Sequence, residues 1–334
     1  MQTQCPNCKT LYKTAQENEG KQARCKSCGK GFQLIPLANP GIIKPDDNKV
    51  SGLYPNPDKS LRKNTRVVSV INYKGGVAKT TTTIALAEKF SEAYHKKVLV
   101  IDLDPQISAT IMLLGIARWK RLNAKNLTLA GLFNYMCFSN TESFDLNSAI
   151  QKNVSNVAGA SSVDLLPSSI GLFDIQNRIA PFQVDLLEKG VKNIIDNYDI
   201  ILIDCPPNLG LVTLNGLFIS DCYLAPTIPE PMSTYGISEI KKQISKFAKE
   251  TKAKISMLGV VCTKYQANSR IHNDEINELK ADATLPIVYN SVIRQSSAIA
   301  KAGENNNTRM TYLQKYGHNG YNELAAEIAE DLRW

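Results

Sequence analysis

The segment that most restricts the fold of this chain is residues 66–95, where an apolar stretch, a glycine-containing loop and a helical pattern follow one another. The stretch RVVSVINY is rich in β-branched residues, which favour strands. Apolar side chains then recur at helical spacing, at Ile84, Leu86, Ala87 and Phe90. A loop between a buried strand and the start of a helix is the context of a phosphate-binding site, because free backbone N–H groups and the helix dipole both favour an anion there.

Four more apolar stretches predict further strands: KVLVIDLD, DIILID at 199–204, DCYLAP at 221–226 and SMLGVVCTKY. Strands that are apolar nearly throughout and alternate with helical stretches indicate a parallel sheet covered on both faces. We therefore expect an α/β domain with a doubly wound, mostly parallel sheet. Residues 117–160 show weaker patterning and receive no firm assignment.

The loop itself, NYKGGVAKTTTT at 72–83, departs from the usual pattern G-x-x-x-x-G-K-[ST]. Tyr73 and Ala78 stand where glycines are expected, and Lys74 is an additional lysine. A chance match is the alternative interpretation, but the strand–loop–helix context argues against it. We expect backbone N–H groups to surround the phosphates, from Gly75 and Gly76 through Val77 and Ala78 to Lys79. Side chains would add three contacts: Lys79 to the β- and γ-phosphates, Thr80 to Mg²⁺ and Thr81 to the α-phosphate.

Lys74 through Thr80 resemble the KGGxxK[ST] loop of the deviant Walker A ATPases of the ParA/MinD group. These ATPases are P-loop NTPases. The resemblance implies that Lys74 crosses the interface of an ATP-bound homodimer to the partner's nucleotide. A second cation compensates the phosphates only when two subunits meet, so ATP would hold the dimer together. Ala78 replaces the commoner glycine, and we expect a backbone conformation there that alanine allows.

Two further segments resemble motifs of the same family. VLVIDLDPQISAT at 98–110 resembles its DxDPQxxxT motif, which implies that Asp104 orients the attacking water and that Asp102 lies near the metal. DIILIDCPPNLGL at 199–211 resembles its Walker B motif, which implies that Asp204 holds Mg²⁺, through water. Cys205 in that motif is expected to be a small buried thiol rather than a nucleophile, as are Cys137, Cys222 and Cys262.

The remaining family-like segments lie towards the C-terminus. APTIPEPMSTYGI at 225–237 resembles the segment that lines the adenine, which makes Pro226, Thr227 and Pro229 candidate base contacts. Residues 290–332 resemble the C-terminal pattern, near which basic residues of partition ATPases contact DNA phosphates. The candidates for that role in this chain are Lys264, Arg270 and Arg294, although any one such exposed cation is more often a solvated surface charge.

Cysteines of the first 28 residues follow the spacing C-x2-C-x16-C-x2-C, formed by Cys5, Cys8, Cys25 and Cys28. Two such pairs can aim four sulfurs at one point, which predicts a tetrahedral Zn²⁺ site. The alternatives are two disulfides or free thiols. The segment resembles the small zinc ribbons at the N-termini of various bacterial proteins. The cysteine ligands of such a ribbon do not indicate which molecule it binds.

The organisation that follows is a zinc ribbon at 1–33, a flexible proline-rich linker at 34–65 and a ParA-like ATPase domain at 66–334. The net charge of +8 lies mostly in residues 1–65, which carry eleven Lys and Arg against five Asp and Glu and so contribute +6. This excess is compatible with nucleic acid as a partner without requiring it. The chain has neither a long uncharged apolar stretch nor a basic–apolar leader, so we expect a cytoplasmic protein that associates with the nucleoid.

The leading functional hypothesis is an ATPase that dimerises on Mg-ATP, coats DNA non-specifically and hydrolyses slowly until a ParB-like partner stimulates it. A MinD-type membrane ATPase is disfavoured, because the tail NELAAEIAEDLRW is too acidic for an anionic membrane. An iron–sulfur carrier ATPase would need paired cysteines on the ATPase domain, and the four cysteines there are isolated. A zinc-ribbon regulator with an ATPase switch, or a ParA-like ATPase that positions another cargo, remains open.

Overall fold

The structure is a computed structural model that describes residues 2–4, 7, 11–13, 21–33, 62, 64–138, 144–296 and 308–334. The chain divides into two compact units, Met1–Val50 and Ser51–Trp334. The predicted linker lies largely outside the described residues. Arg62 and Thr65 at its end belong to the larger unit: the Arg62 guanidinium lies 3.4 Å from Asp221, and the Thr65 hydroxyl donates to the carbonyl of Tyr198 at 2.7 Å.

The smaller unit contains two short antiparallel hairpins. Strand β1 (Gln2–Gln4) pairs with β2 (Leu11–Lys13), and β3 (Gln22–Arg24) pairs with β4 (Gly31–Gln33). The turn between β3 and β4 begins at Cys25, whose carbonyl accepts a hydrogen bond from the N–H of Gly29 at 2.8 Å. Gly29 has φ +72°, a conformation that glycine adopts at little cost.

The larger unit is built on a six-stranded sheet in which every described pairing is parallel. Its strands are β5 (Arg66–Val70), β6 (Val98–Asp102), β7 (Val163–Leu166), β8 (Ile200–Asp204), β9 (Cys222–Thr227) and β10 (Ser256–Cys262). The order across the sheet is β10-β9-β5-β8-β6-β7. The prediction of a parallel α/β fold is confirmed, and the sheet has one strand, β7, that the apolar pattern did not indicate.

Helices cover both faces of this sheet. The first half of the unit contributes α1 (Lys79–Tyr94), α2 (Ser108–Leu114), α3 (Ile116–Ala124), α4 (Leu129–Phe138), α5 (Leu146–Ala149) and α6 (Leu172–Arg178). The second half contributes α7 (Leu186–Val191), a 3-10 turn (Ile195–Asn197), α8 (Leu211–Ile219), α9 (Ser233–Thr251), α10 (Arg270–Ala281), α11 (Tyr312–Tyr316) and α12 (Tyr321–Asp331).

Alternation along the strands divides the core into two layers. On β8, Ile201 and Ile203 pack on the side of α4, α7 and α8, whereas Ile200 and Leu202 pack on the side of α1 and α12. Successive strand residues point to opposite faces, so a strand buried on both sides is apolar at every position. Each fully buried Ile or Leu contributes roughly 1.5–3 kcal/mol.

The C-terminal helix α12 is part of this core. Its residues Tyr321, Leu324 and Ile328 are buried against the α1 side of the sheet. The apolar face of the helix is therefore occupied inside the molecule rather than presented outwards. Within the described ranges, no helix is both long and apolar enough to cross a membrane.

Candidate functional site

The loop between β5 and α1 lies at the carboxyl end of the sheet, where ligands of open α/β sheets bind. Side chains from elsewhere in the chain fix it. Asn72 donates from its amide to the carbonyl of Pro226 at 2.7 Å and accepts from the N–H of Lys74 at 3.0 Å. The buried Thr263 hydroxyl donates to the carbonyl of Val77 at 3.0 Å. Sequence reasoning missed Asn72 and Thr263, because nothing local marks a side chain that holds a distant loop.

Ala78 ends the loop in the left-handed conformation, with φ 61° and ψ 30°. Alanine is allowed in this region, but an L-residue with a Cβ pays roughly 1–2 kcal/mol there. The loop keeps the geometry that glycine usually provides. Thr82 donates its N–H to the Ala78 carbonyl at 2.9 Å, so α1 begins directly after this residue.

The buried ammonium of Lys79 lies within the loop. Only 7% of the residue is exposed, and its ammonium donates to the carbonyl of Lys74 at 3.1 Å. Burial lowers the pKa of Lys79, while the nearby carboxylates of Asp204 and Asp104 oppose that change. A desolvated cation at a helix N-terminus suits the terminal phosphates of a nucleotide.

Asp204 lies at the end of β8 and is almost fully buried. One of its oxygens, Oδ1, accepts from the Thr83 hydroxyl at 3.4 Å; the other, Oδ2, has no hydrogen-bond partner among the described residues. Burial raises the pKa of Asp204 well above its usual value, Asp102 raises it further, and Thr80 opposes the rise. A buried carboxylate with an unpartnered oxygen close to a hydroxyl is a donor set that fits Mg²⁺.

Asp102, at the end of β6, has contacts that differ from those of a metal ligand. Its Oδ1 accepts the N–H of Asp104 at 3.1 Å, and its Oδ2 accepts both the N–H and the hydroxyl of Thr110, at 2.9 and 2.7 Å. Burial raises the pKa of Asp102 to about 7, against the effect of these bonds. Asp102 therefore shapes the turn from β6 to α2.

Asp104 is the carboxylate that this turn presents to the loop. Its backbone carbonyl accepts from the Ser168 hydroxyl at 2.7 Å, and its side-chain Oδ1 accepts the N–H of Gln106 at 2.9 Å. Asp104 lines the pocket together with Lys79 and Thr80. A fixed carboxylate in this position is suited to orient a water molecule.

Lys74 extends away from the phosphate loop. Its ammonium forms an ion pair with Glu230, with Nζ 2.5 Å from Oε2, and the two side chains are 48% and 44% exposed. This contact lowers the pKa of Glu230. Lys74 and Lys79 are five residues apart, yet only Lys79 is buried in the loop of its own subunit.

A pocket of about 730 Å³ lies above the loop. Seven of the residues predicted to bind the nucleotide or to act in catalysis line it, namely Gly75, Gly76, Ala78, Lys79, Thr80, Thr81 and Asp104. Lys264 and Arg294, predicted as DNA contacts, line the same pocket, and the Lys264 ammonium lies 4.0 Å from the position of a Cβ built on Gly76. Arg270 is elsewhere: its side chain is 94% exposed, 3.6 Å from Asp274.

Pro226, Thr227 and Pro229, predicted as adenine contacts, are buried beside the loop. In the described part of the chain the pocket wall is formed instead by Pro207, Ile293, Gln295 and Tyr321, together with the two cations. Cys205 is fully buried, and burial raises the pKa of its thiol above the ordinary range, as expected of a structural cysteine.

Of the four predicted zinc ligands, Cys5 and Cys8 lie outside the described residues. Cys25 is buried with Phe32, and Cys28 is exposed in the following turn. Among the residues whose positions are described, no group of three or more His, Cys, Asp or Glu could hold a metal ion.

Comparison with known proteins agrees with this geometry. Residues 65–257 match the family model described as an AAA domain. The chromosome-partitioning ATPase Soj of Treponema pallidum is 30% identical over 77% of this chain and 94% of its own length. Apo McdA of Cyanothece superposes with a TM-score of 0.66 at 20% identity, over 80% of this chain and 99% of that one.

Cobyrinic acid a,c-diamide synthase of Mycobacterium smegmatis, solved with ADP and magnesium, superposes with a TM-score of 0.63 at 24% identity, over 80% of this chain and 96% of that one. Proteins with different reactions therefore share this fold, so the fold by itself does not identify the reaction. The family match and the identity to Soj are more specific than the fold. The chain belongs to the AAA domain family and, within it, to the ATP-hydrolysing ParA- and Soj-like P-loop enzymes.

Proposed function

We propose that this protein is a Mg-ATP-dependent dimerising switch that partitions plasmid or chromosomal DNA. Lys79 and the loop N–H groups bind the phosphates, Thr80 and Asp204 hold Mg²⁺, and Asp104 orients the water. The unpartnered Oδ2 of Asp204, together with the effect of Thr80 on the pKa of this carboxyl, supports this assignment of the metal. Magnesium supplies charge neutralisation at the β- and γ-phosphates when it is bound.

The observation that carries the proposal is the position of Lys74. A lysine of the loop that is half exposed and held by Glu230 does not serve the phosphates of its own subunit. It is available to a nucleotide bound by a second copy that faces it. The triphosphate is then neutralised by cations of two chains, which makes dimerisation depend on ATP.

Cargo and partners follow from the relatives, of which one is a chromosome-partitioning ATPase. The dimer binds DNA non-specifically through phosphate contacts, and a ParB-like protein stimulates hydrolysis and releases it. Lys264 and Arg294 line the nucleotide pocket, so Arg270 is the more accessible of the three predicted DNA contacts. The corresponding location is the cytoplasm, on the nucleoid.

The N-terminal unit completes the proposal as a zinc ribbon. The turn at Cys25–Gly29 is closed by the hydrogen bond from the Gly29 N–H to the Cys25 carbonyl. It carries two thiols, that of the buried Cys25 and that of the exposed Cys28. The sequence places Cys5 and Cys8, with the same spacing, between β1 and β2, and four such thiolates suit a tetrahedral Zn²⁺ site.

The proposal is tested by retardation of a DNA duplex with ATP, ADP or no nucleotide, at two salt concentrations, for the parent and for Asp104→Ala. We expect retardation only with ATP, a steep loss at high salt, and persistent binding of Asp104→Ala, because its ATP is not consumed. Equal retardation in all three nucleotide states, or parental ATP turnover by Asp104→Ala, would refute the proposed switch.

A further inference from the structure

A second concave surface is lined by residues of α2 and α3. This groove, of about 940 Å³, runs between α3 and the segment that precedes β7. We call it the α3 groove and define it by three cations, Arg118, Arg121 and Arg309, and three apolar residues, Ile116, Val154 and Val157. None of the six has been used above by the nucleotide site.

The charge of the groove has a single sign. No Asp or Glu lines it, and between Pro105 and Thr141 the sequence has four cations and no acidic residue. Arg121 and Arg309 are exposed and, within the described ranges, form no ion pair. Glu92, whose side chain approaches Gly159 at the edge of the groove, is already paired with Lys89 at 2.8 Å.

Arg118 is held in place at the groove wall. Its Nε and Nη2 both donate to Oε1 of Gln151, at 3.1 and 2.8 Å. Gln151 is itself fixed, because its amide donates to the carbonyls of Ser148 and Ala149. One guanidinium is thus oriented in advance, which reduces the entropy that a ligand must overcome on binding.

Apolar side chains accompany these cations. Val154 and Val157 are buried beneath the groove, and Ile116 at the start of α3 is 50% exposed. Arginines around an apolar floor match a chain that alternates carboxylates with apolar side chains, since guanidinium binds carboxylate in a bidentate manner. The phosphates of a convex DNA duplex would contact the arginines but not the apolar residues at the base of the groove.

We propose that the α3 groove binds an acidic peptide segment of a partner protein, in which apolar residues are interspersed among carboxylates. The carboxylates pair with Arg118, Arg121 and Arg309, and an apolar side chain covers Ile116. The inference does not depend on the proposed function, because it uses no residue of the nucleotide site.

The groove is also connected to the nucleotide site through α3. The indole N–H of Trp119 on this helix donates to the carbonyl of Ser168 at 3.1 Å, and the Ser168 hydroxyl donates to the carbonyl of Asp104 at 2.7 Å. Two hydrogen bonds, made through Ser168, therefore join the helix that forms the groove to the backbone of Asp104, a residue that lines the nucleotide pocket. A segment bound to α3 lies where it can affect hydrolysis.

The test measures fluorescence anisotropy of a labelled short peptide that alternates glutamate with leucine, titrated with the full-length protein. We expect binding by the parent and a loss of at least about tenfold in Arg121→Glu/Arg309→Glu, because two charge-assisted contacts are replaced by repulsion. The control is Lys120→Glu, an exposed cation of the same helix that does not line the groove. Its affinity should stay within about twofold of the parent.

Three outcomes would overturn the inference. They are the absence of peptide binding by the parent, an equal loss in Lys120→Glu and the double variant, and equal binding of a peptide with lysine in place of glutamate. Binding of a DNA duplex that weakens in the double variant, without peptide binding, would make the surface a nucleic-acid site instead. Thermal unfolding and ATP turnover are measured for the double variant and for Lys120→Glu. Parental values in both measurements exclude misfolding as the cause of a lost affinity.

Discussion

Single residues around the nucleotide pocket have conformations that their side chains do not favour. Ala78 of the phosphate loop adopts φ 61° although it has a Cβ, and Ile107, within the 98–110 motif that contains Asp104, adopts φ 57° although it is β-branched. Left-handed conformations of such residues persist only where the surroundings impose them, and they concentrate at functional sites. The two strained residues flank the pocket that Lys79 and Asp104 share.

Ala78→Gly is expected to stabilise the protein. Glycine removes the roughly 1–2 kcal/mol strain of the left-handed conformation, and the gain is reduced by about 0.4–1 kcal/mol because the unfolded chain becomes more flexible. Urea unfolding should show a free energy of unfolding higher by about 0.5–1 kcal/mol. Ala117→Gly, at an exposed position of α3, is the control and should lower stability instead. A clear loss of stability in Ala78→Gly would contradict this account.

The ion pair between Lys74 and Glu230 leads to a second prediction about single residues. Lys74→Ala should bind ATP yet remain monomeric by light scattering, since the cation that joins two copies is missing. Glu230→Gln should release Lys74 and lower the ATP concentration needed for dimerisation by up to about fivefold, because an exposed ion pair is worth about 0–1 kcal/mol. A dimer of Lys74→Ala with undiminished turnover would eliminate the role of this lysine between subunits.

Among the elements, α1 and α11 are joined by a buried ion pair. The Lys315 ammonium lies 2.7 Å from Oε1 of Glu88, and the other oxygen of Glu88 accepts from the Tyr316 hydroxyl at 2.6 Å. Ser155 and Asn156 complete the network, which leaves both charges with partners. Since α1 begins in the phosphate loop, this network fixes the C-terminal region to the nucleotide site.

Lys315→Met is expected to lower the free energy of unfolding by about 3–5 kcal/mol, because Glu88 keeps a buried charge without its cation. Glu88→Gln in the same chain should recover part of that loss. The exposed pair between Arg270 and Asp274 provides the control, where Arg270→Met should cost less than about 1 kcal/mol. Urea unfolding of the four proteins checks the series; similar losses for Lys315→Met and Arg270→Met would be inconsistent with it.

The sequence predicted some elements much better than others. The long apolar strands β5, β6, β8, β9 and β10 and the loop before α1 carry local patterns, and all are present. Strand β7 was missed because it has four residues and contains Asp164, which pairs with Lys152 and interrupts the apolar run. The positions of Lys264 and Arg294 in the nucleotide pocket depend on how β10 and the following segment return to the loop, which no local pattern encodes.

At the scale of the whole molecule, the two units have different sources of stability. The larger unit has two extensive buried layers, one on each face of its sheet. The buried cluster described for the smaller unit contains Cys25 and Phe32, with Ala23 packed against it. A domain with so small a core usually requires a metal or disulfides.

We therefore expect about one zinc ion per chain in the purified protein, and none in Cys25→Ser/Cys28→Ser, by elemental analysis. The thermal unfolding of the ATPase domain and its ATP turnover should be the same in both proteins, because that core does not contain the metal. Full zinc content in the double variant would mean that the metal is held elsewhere.

The bond between Trp119 and Ser168 has a practical consequence. The chain has two tryptophans, and the other, Trp334, packs edge-on against Phe90 with ring centres 5.0 Å apart. Trp334→Phe would leave one indole as the emitter, hydrogen-bonded to the residue that supports the Asp104 turn. The protein would then contain a built-in optical reporter, so nucleotide exchange could be followed in real time without attaching a dye.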